Sequence, residues 1–171
     1  MTLLAITVLG HDRPGIIAQT AATLAAARMN LEDSTMTLLR GHFAMTLICS
    51  GDADAAQVRT ALQPLVDGTL SVDVLELAEE SGPPAVGQSV LVTVHGADRL
   101  GIVSRLAGVI ADEGGNITDL TTRLSGELYV LAAEVDLRVG TDPATMAAAL
   151  RTASTELGVG TTVRPLDRDE L

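Results

Sequence analysis

The chain contains the same stretch twice. Val8-Leu9-Gly10-His11-Asp12-Arg13-Pro14-Gly15-Ile16-Ile17 returns as Val94-His95-Gly96-Ala97-Asp98-Arg99-Leu100-Gly101-Ile102-Val103, after a shift of 86 residues. The same shift carries Asn30 onto Asn116, Asp33 onto Asp119, Thr35 onto Thr121 and Phe43 onto Tyr129. A period this long exceeds that of solenoid units, which run about 20–50 residues, so a whole domain has been duplicated. The 171 residues therefore divide into two domains of roughly 80 residues, each large enough for a modest core.

Each copy reads as strand, helix, two strands, helix, strand. In the first, 3–9 is a β-rich run bounded by Gly10, and Ile17, Ala21, Leu24 and Ala25 share one helical face. Strands over 31–39 and 43–49 flank a tight turn at Arg40-Gly41-His42. Asp52 is the expected N-cap of a second helix carrying Val58, Leu62, Leu65 and Val66, with Gly68 as its C-terminal cap and Leu70, Val72 and Val74 as a last strand. The second copy repeats this order. A strand over 89–95 leads to a helix with Val103, Leu106, Ala107 and Ile110 inward. Two strands follow around Ser125-Gly126-Glu127. Thr141-Asp142-Pro143 opens the last helix, Gly158 ends it, and 159–163 is the final strand. The fold class is α+β: two ferredoxin-like βαββαβ domains. Their expected limits are 1–78 and 89–167, with a Gly- and Pro-bearing linker at 79–88 and a solvated tail at 168–171.

Composition removes several functions. Net charge is −11 and there is no basic run, which disfavours direct nucleic-acid binding. Phe43 and Tyr129 are the only aromatic residues of the Phe, Tyr and Trp class, so no stacking platform exists, and both read as core positions. Cys49 is the single cysteine, set in an apolar run and read as a buried thiol. No apolar run has the length of a membrane span, the N-terminus carries no signal-peptide pattern, and a cytoplasmic protein is expected. His11, His42 and His95 are scattered and match no zinc spacing, so neither a metal nor another cofactor is expected. Asp52-Ala53-Asp54-Ala55-Ala56 lacks the threonine of a phosphatase nucleophile motif and reads as a helix start. No catalytic set is evident, and an enzyme is not expected.

The strand-to-helix loop is the candidate site. Gly10 and Gly96 permit a turn that side chains would block. Gly15 and Gly101 are expected in the first helical turn, whose N–H groups lack intrahelical acceptors. A carboxylate could approach those amides, with the helix dipole adding about 0.3–1 kcal/mol, while Asp12 or Asp98 receives an ammonium group. Such a pair suits a free amino acid. The same residues also admit a purely structural reading. Asp12 is then an N-cap, Pro14 is ordinary helix-start grammar, and Arg13 and Arg99 pair with neighbouring carboxylates.

Asp-Arg-Pro-Gly-Ile after a short strand, with Asn-Leu or Asn-Ile about fifteen residues on, resembles the ACT domain, a regulatory module that binds amino acids. Both copies match. The tandem arrangement resembles the glycine cleavage system transcriptional repressor family and the regulatory pair of bacterial phosphoserine phosphatases. The resemblance implies a ligand between ACT domains, touching the strand-helix loop and the start of the next strand. On this chain it implicates Asp12, Gly15 and Asn30 in copy one and Asp98, Gly101 and Asn116 in copy two, with His11, Arg13, Ile16, Arg99 and Ile102 beside them. Copy two departs at Ala97 and Leu100, which replace His11 and Pro14. The expectation is a non-enzymatic amino-acid sensor, glycine or serine favoured, acting through a protein partner and forming a homodimer. The rival readings are a ligand-free interaction module and a trans-acting regulatory subunit of an enzyme.

Overall fold

A computed structural model describes residues 1–78, 82 and 85–166. The chain divides into two compact units, Met1–Gly82 and Pro83–Leu171. The first contains β1 (Thr2–His11), α1 (Ile16–Ala26), β2 (Met29–Leu39), β3 (His42–Gly51), α2 (Ala55–Leu62) and β4 (Leu70–Leu77). The second contains β5 (Val86–Ala97), α3 (Ile102–Asp112), β6 (Gly115–Ser125), β7 (Leu128–Arg138), α4 (Pro143–Leu157) and β8 (Val159–Pro165). The sheets are antiparallel, ordered β2-β3-β1-β4 and β6-β7-β5-β8. This is the ferredoxin-like arrangement, twice.

Alternation along the central strands builds each core. Leu4, Ile6 and Val8 of β1 and Phe43, Met45, Leu47 and Cys49 of β3 are buried with Ile16, Leu24, Val58 and Leu62 from the helices. Val90, Val92 and Val94 of β5 do the same with Leu131, Ala133, Val135, Ile102, Leu106, Met146 and Leu150. Each buried aliphatic side chain contributes roughly 1.5–3 kcal/mol. Phe43 is 1% exposed, and Tyr129 is half-buried against the second core, so the two aromatics are core positions. Burial also pushes the Cys49 thiol above its ordinary pKa, with the Glu32 charge adding to the rise.

Several elements differ from their sequence expectation. In α1 the buried residues are Ile16, Thr20 and Leu24, so of the expected stripe Leu24 faces inward while Ile17, Ala21 and Ala25 are exposed. Thr20 is admitted because its Oγ1 donates to the Ile16 carbonyl at 2.8 Å. The N-cap of α2 is Asp54, not Asp52. Asp54 Oδ1 accepts from the Gln57 N–H at 2.8 Å while Gln57 Oε1 accepts from the Asp54 N–H at 2.9 Å, a reciprocal capping box. After α2 a 3-10 turn (Gln63–Leu65) carries Pro64, and Asp67 rather than Gly68 organises the next turn. The last helix behaves as expected, with Asp142 as N-cap, Pro143 at its first position and left-handed Gly158 at its end. β5 begins at Val86, so 86–88 of the expected linker are strand, paired through Val86↔Arg138 and Gln88↔Leu137. Of the remaining linker, 79–81 and 83–84 lie outside the described residues, as does the tail 168–171.

Candidate functional site

The loop from β1 to α1 starts from a strand longer than its sequence suggests. Gly10 is not a turn residue. It pairs with Phe43 on one side and Leu70 on the other. A Cβ there would fall 2.1 Å from the Thr69 carbonyl oxygen and 2.6 Å from Leu70 Cα. Gly96 is its counterpart, where a Cβ would lie 2.8 Å from Val159 Cγ1. Both glycines therefore serve close approach of the neighbouring strand.

Gly15 and Gly101 are the N-caps of α1 and α3, not first-turn residues. Both are left-handed, with φ of 93° and 89°. Gly15 accepts the first helical bond from the Gln19 N–H at 2.9 Å, and Gly101 accepts from Arg105 at 2.8 Å. No side chain caps either helix, so Asp12 and Asp98 are not N-caps. Both aspartates are exposed. In the first unit an open depression of about 450 Å³ is lined by Asp12, Arg13, Pro14, Gly15, Ile17 and Met36. Ile16 and Ile102 are 1% and 2% exposed, which commits their side chains to the cores.

The two loop arginines both face the segment after the second helix of their unit. Arg13 lies 3.8 Å from Asp67 and donates to Gln19 Oε1 at 3.4 Å. Asp67 also accepts from the Thr69 hydroxyl, the Thr69 N–H and the Leu70 N–H at 2.7, 2.7 and 2.8 Å. The Thr69 hydroxyl, then its N–H, hold the Asp67 carboxyl below the ordinary carboxylate range, and the Leu70 N–H and Arg13 add to this. The guanidinium of Arg99 lies over Gly158, where a Cβ would meet Nη2 at 3.3 Å. A cation there complements the C-terminal end of α4. Arg13 thus ties its loop to the segment following α2, and Arg99 lies beside the end of α4.

Asn30 and Asn116 lie elsewhere. Asn30 pairs with Ser50 and Ser50 with Leu3, while the loop leaves β1 after His11. Eight residues of strand separate the two ends, roughly 25 Å. Asn116, through Asp136 and Ser89, lies equally far from Ala97. Within one unit, a single ligand cannot touch both the loop and the asparagine. What sequence spacing did not reveal is that His11 and His42 stand directly opposite each other on β1 and β3. His42 reads as a turn residue in sequence, but it is the first residue of its strand.

The ACT-domain family pattern matches residues 2–73 and 88–164, covering both units. The chain belongs to the ACT-domain family. It is 27% identical over 161 residues to the glycine cleavage system transcriptional repressor of Escherichia coli (strain K12), covering 90% of this chain and 85% of that protein. A UPF0237 protein of Methanopyrus kandleri is 37% identical over 83 residues, which is 47% of this chain but 91% of the relative. A solved structure of a protein of unknown function from Galdieria sulphuraria superposes with a TM-score of 0.80 at 25% identity, covering 97% of this chain and 99% of the other. This tandem ACT protein is thus related to a transcriptional repressor along most of its length. No helix among its described residues is long and apolar enough to cross a membrane.

Proposed function

We propose that this ACT pair is a non-enzymatic sensor of a small amino acid, acting on a protein partner in control of transcription or of an amino-acid-metabolising enzyme. The observation that carries this reading is the helix start shared by both units. A left-handed glycine opens α1 and α3, no side chain caps them, and an exposed aspartate stands three residues before each glycine. First-turn N–H groups suit a carboxylate, and the aspartate suits an ammonium group. The relative's role in repressing the glycine cleavage system makes glycine and serine the first candidates. Net charge of −11 favours a protein partner over direct contact with nucleic acid. If Asn30 contributes to the same ligand, it comes from a second copy of the chain, because within its own unit it lies at the far end of the sheet.

The test is a thermal-shift screen against the twenty amino acids, where a ligand at 100 times its Kd adds about 2.7 kcal/mol. Gly15→Val is a poor steric probe, because φ of 93° strains any branched side chain. Ala18 is exposed in the first turn of α1 and borders the depression, and Ser104 is its counterpart in α3. Ala18→Leu and Ser104→Leu should leave melting in buffer nearly unchanged and reduce the ligand-induced shift. Full shifts in the double variant would exclude both loops. One observation favours a purely structural loop: Arg13 already pairs with Asp67, and Gly10 and Gly96 are required by packing. Absence of any shift across the screen would favour that reading.

A further inference from the structure

We propose that His11 and His42 form a cross-strand chelating site for a divalent transition metal of the imidazole-preferring class, at the strand end that leads into the candidate loop. The two residues are Cα partners in the antiparallel β1–β3 register. Their ring centres are 5.2 Å apart and the rings are inclined by 52°. Two imidazoles bound to one tetrahedral ion through nitrogens about 2.0–2.1 Å away place their ring centres roughly 5 Å apart. The rings therefore already have the spacing that shared coordination needs.

Both sides of the pair are held by backbone. The His11 N–H donates to the Thr69 carbonyl at 2.9 Å. His42 follows a two-residue hairpin loop in which Arg40 and Gly41 have φ of 51° and 83°, the pattern of a type I′ turn. The alternation that buries Phe43 turns His42 to the opposite face, and both histidines are exposed. The pair is thus reachable from solvent without disturbing the core. Among the described residues no group of three or more His, Cys, Asp or Glu converges on one point. The remaining coordination positions therefore go to water, and the ion stays exchangeable.

The duplication supplies an internal comparison. The corresponding register pair in the second unit is Ala97↔Leu128. Both histidines are replaced there together, although the hairpin and the strand pairing are retained. His95, the third histidine, packs over Gly160 of β8 and has no histidine opposite it. The fold alone therefore does not call for histidines at this corner. Affinity follows the usual order for nitrogen sites, with Cu²⁺ tightest and Zn²⁺ and Ni²⁺ weaker.

The test uses the full chain in chelator-free buffer with the metal chloride alone. Cu²⁺ titration should show one specific ion per chain, with superhyperfine coupling to two imidazole nitrogens in the electron paramagnetic resonance spectrum. Calorimetry with Zn²⁺ or Ni²⁺ should give a Kd that rises about tenfold or more in His11→Ala and equally in His42→Ala, because each removes the chelate. His95→Ala should bind as the parent does. Ala97→His combined with Leu128→His should create a second site and double the stoichiometry. Equal affinity in the parent and both single variants, oxygen-only coordination by the acidic surface, or no second site in the double histidine variant would overturn the proposal.

Discussion

At the residue scale, two glycines with the same sequence setting do different work. Gly10 has an ordinary strand φ but no room, whereas Gly15 has room but a left-handed φ. Gly10→Ala must displace the Thr69 backbone and should cost about 1–3 kcal/mol, as over-packing does. Gly15→Ala should cost about 1–2 kcal/mol through its backbone alone. Gly68→Ala, at an open position with unexceptional φ, should be neutral or gain about 0.4–1 kcal/mol. Urea unfolding of the three variants would check this order. Asp67 provides a pH signature. Its folded-state pKa is depressed, so its contribution is present above the ordinary carboxylate range and disappears as pH falls through the folded value. Asp67→Asn should therefore lower stability at neutral pH and flatten the acid limb of the stability curve, read as urea midpoints across a pH series. An unchanged acid limb would contradict this assignment.

At the scale of elements, helix α2 separates two readings of one short segment. Asp54→Ala breaks the capping box and should cost about 0.5–2 kcal/mol, while Asp52→Ala should cost almost nothing. Comparable losses in both would restore Asp52 as the cap. The order of elements was legible because strand alternation and helical periodicity repeat twice in one chain. Helix ends marked by side-chain chemistry, such as Asp142, Pro143 and Gly158, were legible for the same reason. The α1 stripe was not. A left-handed Gly15 rotates the helix start so that Ile16 faces inward, and neither isoleucine announces that in sequence. The site was legible only as a loop. That Asn30 lies at the opposite end of the sheet, and that His42 faces His11, follow from register, which depends on the turn at Arg40-Gly41 and on a bulge between Leu31 and Asp33.

At the scale of the whole molecule, β2 and β6 are sheet edges, and they leave Leu31, Met36, Leu38, Leu120 and Leu124 at 41–47% exposure. Long edge strands with exposed apolar side chains invite pairing with another chain. Light scattering at tens of micromolar should therefore report a dimer, and charge substitutions at Met36 and Leu38 should shift it towards monomer. A monomer at that concentration would remove the argument. The two cores share no residue. Each unit therefore packs around its own set of apolar side chains. Duplication leaves each half free to diverge on its own, with its twin standing as a second copy. Ala97 and Leu128 standing where the first half has histidines, and Leu100 where it has Pro14, are divergences of that kind.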